Sequence, residues 1–153
     1  MLRVKGLTLV EVLVTIAVLG IALSIAALNL RPFYDPLSDG LTRTEGLLKQ
    51  VRAKAMATTS AYKLSLSGNE WTAARAGTCR STSFSADPSL NLKLPEEVTA
   101  SISPSGASLC FTSRGLLVIL GGSGSGEPVI TLRDNKGRTK SLKVLLGGGV
   151  LRQ

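Results

Sequence analysis

The chain has 153 residues, a formal net charge of +8, no histidine and two cysteines. This length suits one domain with its own core. Because histidine, the commonest general base, is missing and two cysteines alone do not make a usual structural zinc site, we expect no enzyme, no metal and no other cofactor. A basic protein favours anionic partners such as nucleic acid or lipid head groups, although the charge also promotes solubility.

The N-terminal 28 residues combine a short basic segment with a long apolar run. Residues 1–6 carry two cations, and residues 7–28 hold one charged residue, Glu11. At about 1.5 Å per residue, a helix over this run is about 33 Å long and exceeds the ~30 Å hydrocarbon core of a bilayer. The positive-inside tendency places residues 1–6 in the cytoplasm and the chain from Asn29 onward outside it. Glu11 is the misfit, because an unpaired carboxylate in hydrocarbon is costly unless it reaches the interface.

A resemblance to type IV prepilins and type II secretion pseudopilins lies in the segment Lys5-Gly6-Leu7-Thr8-Leu9-Val10-Glu11. That family has a short basic leader, a glycine before the cut, an apolar first mature residue (most often Phe, here Leu7) and a glutamate at mature position five. The resemblance implies cleavage after Gly6 by prepilin peptidase and methylation of the new Leu7 amine. It also implies that Glu11 pairs with the amine of a neighbouring subunit in a filament, where two costly charges cancel.

An ordinary signal peptide and a plain signal anchor are the alternative interpretations of this segment. A signal peptide has an apolar core of about 7–15 residues and a small-x-small cleavage site. Ser24-Ile25-Ala26 supplies such a site, but the apolar run is longer and contains Glu11. A signal anchor gives Gly6 and Glu11 no role. We therefore favour the prepilin interpretation.

A second helix is predicted from Leu41 to Thr59. It follows the segment 29–40, whose two prolines are expected to end or kink the first helix near Asn29. Asp39 or Thr42 is predicted to cap its start. Apolar residues recur at helical spacing and predict a stripe that packs on a sheet. The stripe consists of Leu41, Leu47, Leu48, Val51, Ala55 and Met56.

From Ala61 onward, apolar and polar residues alternate with a period of two, which predicts strands. A hairpin is expected around the turn Ser67-Gly68-Asn69. The glycine-rich segment 121–126 lacks the Lys-Ser/Thr and the helix that follow a phosphate-binding loop, so we expect a hairpin loop there. The glycines at 147–149 predict a turn. Strands are predicted at 62–66, 70–73, 90–94, 98–102, 109–111, 116–120, 129–132 and 141–146.

Cys79 and Cys110 are the two cysteines of the chain. On the exported side of a membrane, an even pair predicts one disulfide, here closing a loop of about 30 residues. The alternative is a pair of free buried thiols.

The predicted fold is α+β and pilin-like, with a long N-terminal α-helix packed on an antiparallel β-sheet domain. The helix has a membrane part followed by an amphipathic part. We predict a leader at residues 1–6, a transmembrane and filament-core helix at 7–28, and an extracytoplasmic globular domain at 29–153. The helix-to-strand segment from Leu47, and Phe111 followed by a turn glycine, resemble the H-type minor pseudopilins and FimT-like minor pilins.

The C-terminal region is basic. Arg138 and Lys140 are two residues apart and share a strand face, from which they can meet successive phosphates of DNA. Gly137-Arg138-Thr139-Lys140 resembles the Gly-Arg-x-Arg motif of FimT-like DNA-uptake pilins, with a lysine that keeps the charge but loses the bidentate fork. A DNA-binding surface and a solvated strand face that maintains solubility stay open as interpretations. The cations of the region are Arg133, Lys136, Arg138, Lys140, Lys143 and Arg152.

The resemblance implies a structural role. A minor pilin of this kind waits as a single-pass protein in the inner membrane and is then assembled with other pilin subunits into a type IV pilus. Contact with DNA during natural transformation is a further hypothesis, which the basic C-terminal region favours. The alternative is an H-type minor pseudopilin of a type II secretion system.

Overall fold

The computed structural model describes residues 8–29, 35–122 and 126–153. The chain divides into two compact units, Met1–Asp35 and Pro36–Gln153, each of which is described by itself. The predicted processing site at Gly6 and Leu7 lies outside the described residues. The segment 30–34, which contains the first of the two prolines expected to end or kink the first helix near Asn29, also lies outside them.

In the first unit, the structure describes one helix, α1, which spans Leu9–Asn29. Its start is capped by Thr8, whose Oγ1 accepts a hydrogen bond from the backbone N–H of Glu11 at 3.3 Å. Thr8 and Glu11 thus have the spacing of a capping box, a signal that the sequence analysis missed. Over the part of the chain that the structure describes, no helix is both long and apolar enough for a membrane span. The membrane segment predicted at 7–28 therefore stays a prediction.

Helix α2 spans Pro36–Ala57, so it begins before the predicted Leu41. A proline is favoured at the first helical position because its missing N–H has no partner there in any case. The prediction that Asp39 or Thr42 caps α2 is wrong, since both residues lie within it. Asp39 instead pairs with Arg43 one turn further on, at 2.8 Å.

The apolar stripe of α2 is confirmed from Leu41 to Ala55. Met56 is the exception, with 44% of its surface exposed. Leu37 and Thr44 extend the buried face towards the N-terminus, and the Thr44 hydroxyl donates to the Gly40 carbonyl at 2.8 Å. The buried polar group is therefore satisfied within the helix.

The strands of the second unit form two antiparallel sheets. The larger sheet contains β1 Ala61–Ser67, β2 Glu70–Ala76, β3 Ser85–Ala86, β4 Leu92–Lys93, β6 Ser108–Phe111 and β7 Leu117–Leu120. The smaller sheet contains β5 Val98–Ser103, β8 Val129–Asp134, β9 Thr139–Val144 and β10 Val150–Arg152. The larger sheet has the order β3-β2-β1-β6-β7, with β4 also paired to β2, and the smaller sheet has the order β10-β9-β8-β5.

One strand prediction and one loop prediction differ from the structure. The segment predicted as a strand at 90–94 contains only β4, because Pro88–Leu90 forms a 3-10 turn capped by Asp87, whose Oδ1 accepts from Ser89 N–H at 3.3 Å. The segment 121–126 does not close a hairpin. It connects β7 to β8, and these strands belong to different sheets.

One hydrophobic core joins α2 to both sheets. Trp71, Tyr62 and Phe111 are fully buried on the larger sheet, and Ile130, Leu132 and Leu142 are fully buried on the smaller one. Helix α2 approaches the smaller sheet closely at Gly40. A Cβ added at this glycine would lie only 3.2 Å from Leu132 Cδ2. The prediction of an α+β fold with a helix on antiparallel sheets is confirmed.

A second, small cluster surrounds the cysteines. Cys79 and Cys110 form the predicted disulfide, which ties the loop after β2 to β6. Both are buried together with Ala61, and Phe84 and Leu120 pack against them. The alternative of two free thiols is therefore excluded.

Candidate functional site

The surface of α1 is apolar on all sides. The exposed fraction of its large apolar side chains, from Leu9 to Ile25, lies between 42% for Val12 and 77% for Leu9. The hydroxyl groups of Thr15 and Ser24 donate to carbonyls of the helix itself, at 2.8 Å in both cases. A helix that is apolar all round is stable in water only when another apolar phase or molecule covers it.

Glu11 is the one charged residue of α1 and lies in its first turn. The N-terminal end of a helix carries a partial positive charge, which stabilises a carboxylate at this place. The same residue donates its backbone N–H to Thr8. Glu11 therefore has a fixed place near the start of an apolar helix, where a cation from another molecule could approach it. Its predicted pairing with a neighbouring amine stays a prediction.

The six C-terminal cations do not form one surface. Strand register places Arg133 opposite Thr139, and Lys143 opposite Val129, on the outer face of the smaller sheet. Lys140 is opposite the buried Leu132, and Arg152 is opposite the buried Leu142. Successive side chains of a strand alternate between faces, so Lys140 and Arg152 belong to the face that covers the core.

Asp134 explains the local role of the Gly137-Arg138 sequence. Its Oδ1 accepts from the backbone N–H groups of Lys136 at 3.0 Å and of Arg138 at 2.8 Å, and its Oδ2 accepts from Arg138 Nε at 2.7 Å. Gly137 has a φ of +81°, which a glycine adopts without strain. Burial raises the pKa of Asp134, but these hydrogen bonds outweigh it and the pKa lies below its ordinary value. Arg138 therefore closes the turn between β8 and β9.

Three further cations of the region also have partners within the chain. Lys140 Nζ donates to Ser38 Oγ on α2. Lys143 pairs with Glu127 at 2.8 Å. Arg152 pairs with Glu45 on α2 at 2.6 Å. Hydrogen bonds from Lys49 and from Arg152 hold the pKa of Glu45 below its ordinary value.

Arg133 and Lys136 are the two C-terminal cations that point to solvent without an ion pair among the described residues. Arg138 keeps 53% of its side chain exposed although it pairs with Asp134. Arg138 and Lys140, the pair that the sequence analysis placed on one open strand face, are both used in contacts within the chain. The region therefore offers fewer free cations than its sequence suggests.

The comparisons with known proteins agree with this architecture. The family model of the prokaryotic N-terminal methylation motif matches residues 1–27. The type IV minor pilin FimU of Pseudomonas aeruginosa superimposes with a TM-score of 0.59 at 19% identity, over 76% of this chain and 87% of FimU. The minor pseudopilin EpsH of the Vibrio cholerae type 2 secretion system superimposes with a TM-score of 0.59 at 8% identity, over 78% of this chain and 97% of EpsH. No curated protein sequence matches the chain significantly.

Proposed function

We infer that this protein, a member of the type IV pilin and pseudopilin family by its methylation motif and its pilin-like fold, is a minor subunit built into a type IV pilus through its N-terminal helix. The observation that carries this inference is α1. Its large apolar side chains are exposed among the described residues, and its one charged residue, Glu11, lies in the first turn. Such a helix suits lipid before assembly and a bundle of like helices after it.

The proposed sequence of events follows from the N-terminal residues. Prepilin peptidase cuts after Gly6, and the new amine of Leu7 is methylated. Residues 7–28 hold the subunit in the inner membrane, with residues 29–153 on the far side. In the filament, Glu11 pairs with the N-terminal amine of a neighbouring subunit, and because an unpaired charge in an apolar bundle is costly, this pairing sets the axial register.

Replacing Glu11 tests this assembly step. In Glu11→Gln, the neighbouring amine loses its partner, and we expect the amount of the protein in sheared filaments to fall about tenfold or more. The matched control is Glu96→Gln, the same change at an exposed glutamate of the second unit, which should leave this amount unchanged. Mass spectrometry of the mature protein should find a methylated N-terminus at Leu7. A mature protein that begins elsewhere, or full incorporation of Glu11→Gln, would contradict the proposal.

A minor pseudopilin of a type II secretion system is the second candidate, supported by the match to EpsH over 97% of that chain. The two candidates differ in the machine that fails when the gene is deleted. If the protein is a pilus subunit, deletion of its gene should abolish pili and transformation and leave secretion intact. A pseudopilin predicts loss of secretion with pili intact.

Contact with DNA is a finer proposal, and it rests on Arg133 and Lys136. Both are exposed and have no acidic partner among the described residues, and each can meet a backbone phosphate. We expect the double variant Arg133→Ala with Lys136→Ala to bind DNA more weakly, with a salt dependence reduced by about one unit of slope per lost contact. Binding is measured with the full chain in detergent at several salt concentrations.

The double variant Arg138→Ala with Lys140→Ala is the matched control for DNA binding. It removes the same number of charges from residues that are already engaged with Asp134 and Ser38. We expect a smaller loss of affinity from this control. An equal or larger loss would place the DNA contact at the Gly137-Arg138-Thr139-Lys140 motif, and an absence of binding by the parent protein at low salt would remove the DNA proposal.

A further inference from the structure

Exposed large apolar side chains are few among the described residues of the second unit, and three of them lie on segments that contact one another. Met56 ends α2, Leu116 lies in the turn before β7, and Leu146 lies in the turn before β10, with exposed fractions of 44%, 49% and 50%. We name these three residues the apolar corner. Exposed apolar clusters mark contact sites for other molecules more often than isolated apolar residues do.

Arg52 holds the corner together. Its Nε donates to the Gly115 carbonyl at 3.1 Å and its Nη2 donates to the Gly147 carbonyl at 3.0 Å, so one side chain joins both turns to α2. The backbone N–H of Leu117 also donates to the Leu146 carbonyl at 2.9 Å. Met56 packs over the first turn. Its Sδ lies so close to Gly115 that a Cβ added at this glycine would be only 2.7 Å away.

Both turns of the corner are closed by their own hydrogen bonds. In the first turn, the Gly115 N–H donates to the Thr112 carbonyl at 2.8 Å and the Leu116 N–H donates to Thr112 Oγ1 at 3.2 Å. In the second turn, the Gly148 N–H donates to the Leu145 carbonyl at 2.7 Å. The backbone that presents Leu116 and Leu146 is therefore ordered before any partner arrives. Such preorganisation lowers the entropic cost of binding.

The charges around the corner select the kind of partner. Arg52 and the exposed Arg114 are cations, and neither turn contains an acidic residue. A partner with an apolar surface and carboxylates at its rim is therefore complementary. A second copy of this chain is disfavoured, because the chain is strongly basic, with a formal net charge of +8 that includes only two cations of the leader, Arg3 and Lys5.

We propose that the apolar corner docks an acidic and apolar surface on a different subunit of the same filament. This inference depends on the proposed role as a filament subunit. Leu116 and Leu146 are the anchors of the contact, Met56 widens it, and Arg114 pairs with a carboxylate at its rim. A few buried residues inside a ring of weaker contacts carry most of the free energy of such interfaces.

The test compares two sets of variants in the producing cells. Leu116→Asp combined with Leu146→Asp places carboxylates against the acidic partner, and we expect the amount of the protein in sheared filaments to fall about tenfold or more. Leu151→Asp is the matched control, because Leu151 is a leucine of similar exposure, 52%, on β10 outside the corner. An unchanged melting temperature of the detergent-solubilised full chain shows that the variants are folded.

A photo-crosslinking residue at position 116 then identifies the occupant, with the same residue at position 151 as control. The expected product joins this chain to an acidic subunit of the filament, identified by mass spectrometry, and forms only at position 116. An adduct of the chain with itself, an adduct with lipid, or full incorporation of the double variant would overturn the docking proposal. Absence of the wild-type protein from filaments would instead overturn the proposed function on which it depends.

Discussion

Helix α1 and the second unit differ in where their side chains find partners. In α1, the apolar side chains from Leu9 to Ile25 are exposed within the chain. In Pro36–Gln153, a continuous core buries the apolar faces of α2 and of both sheets, and most of the C-terminal cations are bound to residues of the same unit. The second unit thus buries its own apolar faces, whereas the large apolar side chains of α1 are exposed among the described residues.

This difference also separates two kinds of charged residue. The carboxylates of Glu45, Asp87 and Asp134 hold structure together, since each pairs with a cation from the same unit. Glu11 lies instead on a helix with no cation of its own. An unpaired acidic residue in an apolar segment is costly, so such a residue usually has a function. The comparison therefore assigns stability to the first group and agrees with the proposed role of Glu11 in assembly.

The largest effect is expected from a charge placed in the middle of α1. A lysine at the centre of a membrane helix costs about 2.5–3.5 kcal/mol, so Leu19→Lys should lower both membrane association and filament content about 100-fold. Leu151→Lys is the control, because the two leucines have similar exposed fractions, 60% and 52%. Membrane extraction and sheared filaments measure the two quantities. Equal behaviour of both variants would show that α1 needs no cover.

The disulfide should have the next largest effect, and only on the second unit. It links residues with a sequence separation of 31. By the chain-entropy account, Cys79→Ala combined with Cys110→Ala should lower the free energy of unfolding by about 3–4 kcal/mol. Urea denaturation followed by the fluorescence of Trp71, the single and fully buried tryptophan, measures this loss. A reducing agent should destabilise the wild type and leave the double variant unchanged.

Local patterns in the sequence predicted the elements whose partners are close along the chain. The β1–β2 hairpin follows from alternation around Ser67-Gly68-Asn69, and the register of the two strands confirms it. The stripe of α2 follows from apolar spacing in the same way. The start of α2 at Pro36 does not follow from this spacing, because a proline is expected to break a helix as readily as to begin one.

The sequence could not predict which of the C-terminal cations are free, because their partners lie far away along the chain. Lys140 donates to Ser38, and Arg152 pairs with Glu45, at sequence separations of 102 and 107. No local pattern reveals such pairs. The prediction of a hairpin loop at 121–126 failed for the same reason, since the pairing of β8 with β5 and β9 places it in the other sheet.

Arg52 tests whether the second unit holds its two turns by itself. Arg52→Ala removes hydrogen bonds from a charged donor to two carbonyls, so the free energy of unfolding should fall by about 1–3 kcal/mol. Arg52→Lys retains the charge but not the planar fork and should recover only part of this loss. Arg43→Ala is the control on the same helix, because its exposed pair with Asp39 contributes about 0.5 kcal/mol or less. Similar losses for Arg52→Ala and Arg43→Ala in urea denaturation would contradict this role.

The smallest effect is expected from pH, and it again concerns the second unit alone. The pKa of Glu45 is lowered first by the hydrogen bond from Lys49, that of Asp87 by the hydrogen bond from Lys54, and that of Asp134 by its turn contacts in spite of burial. A carboxylate with a lowered pKa in the folded state stabilises the fold above its unfolded pKa. The unit should therefore lose stability as the pH falls below about 4 and through the folded pKa values.

Asp134→Asn isolates one of these carboxylates. The variant should be less stable than the wild type at neutral pH, and the difference should shrink in acid, because protonation removes the same charge from the wild type. Arg138→Lys keeps the ion pair with Asp134 and should retain most of the pH dependence. Urea denaturation from about pH 6 to about pH 2 measures both. If Asp134→Asn and the wild type differed equally at every pH, the turn would depend on the shape of the side chain and not on its charge.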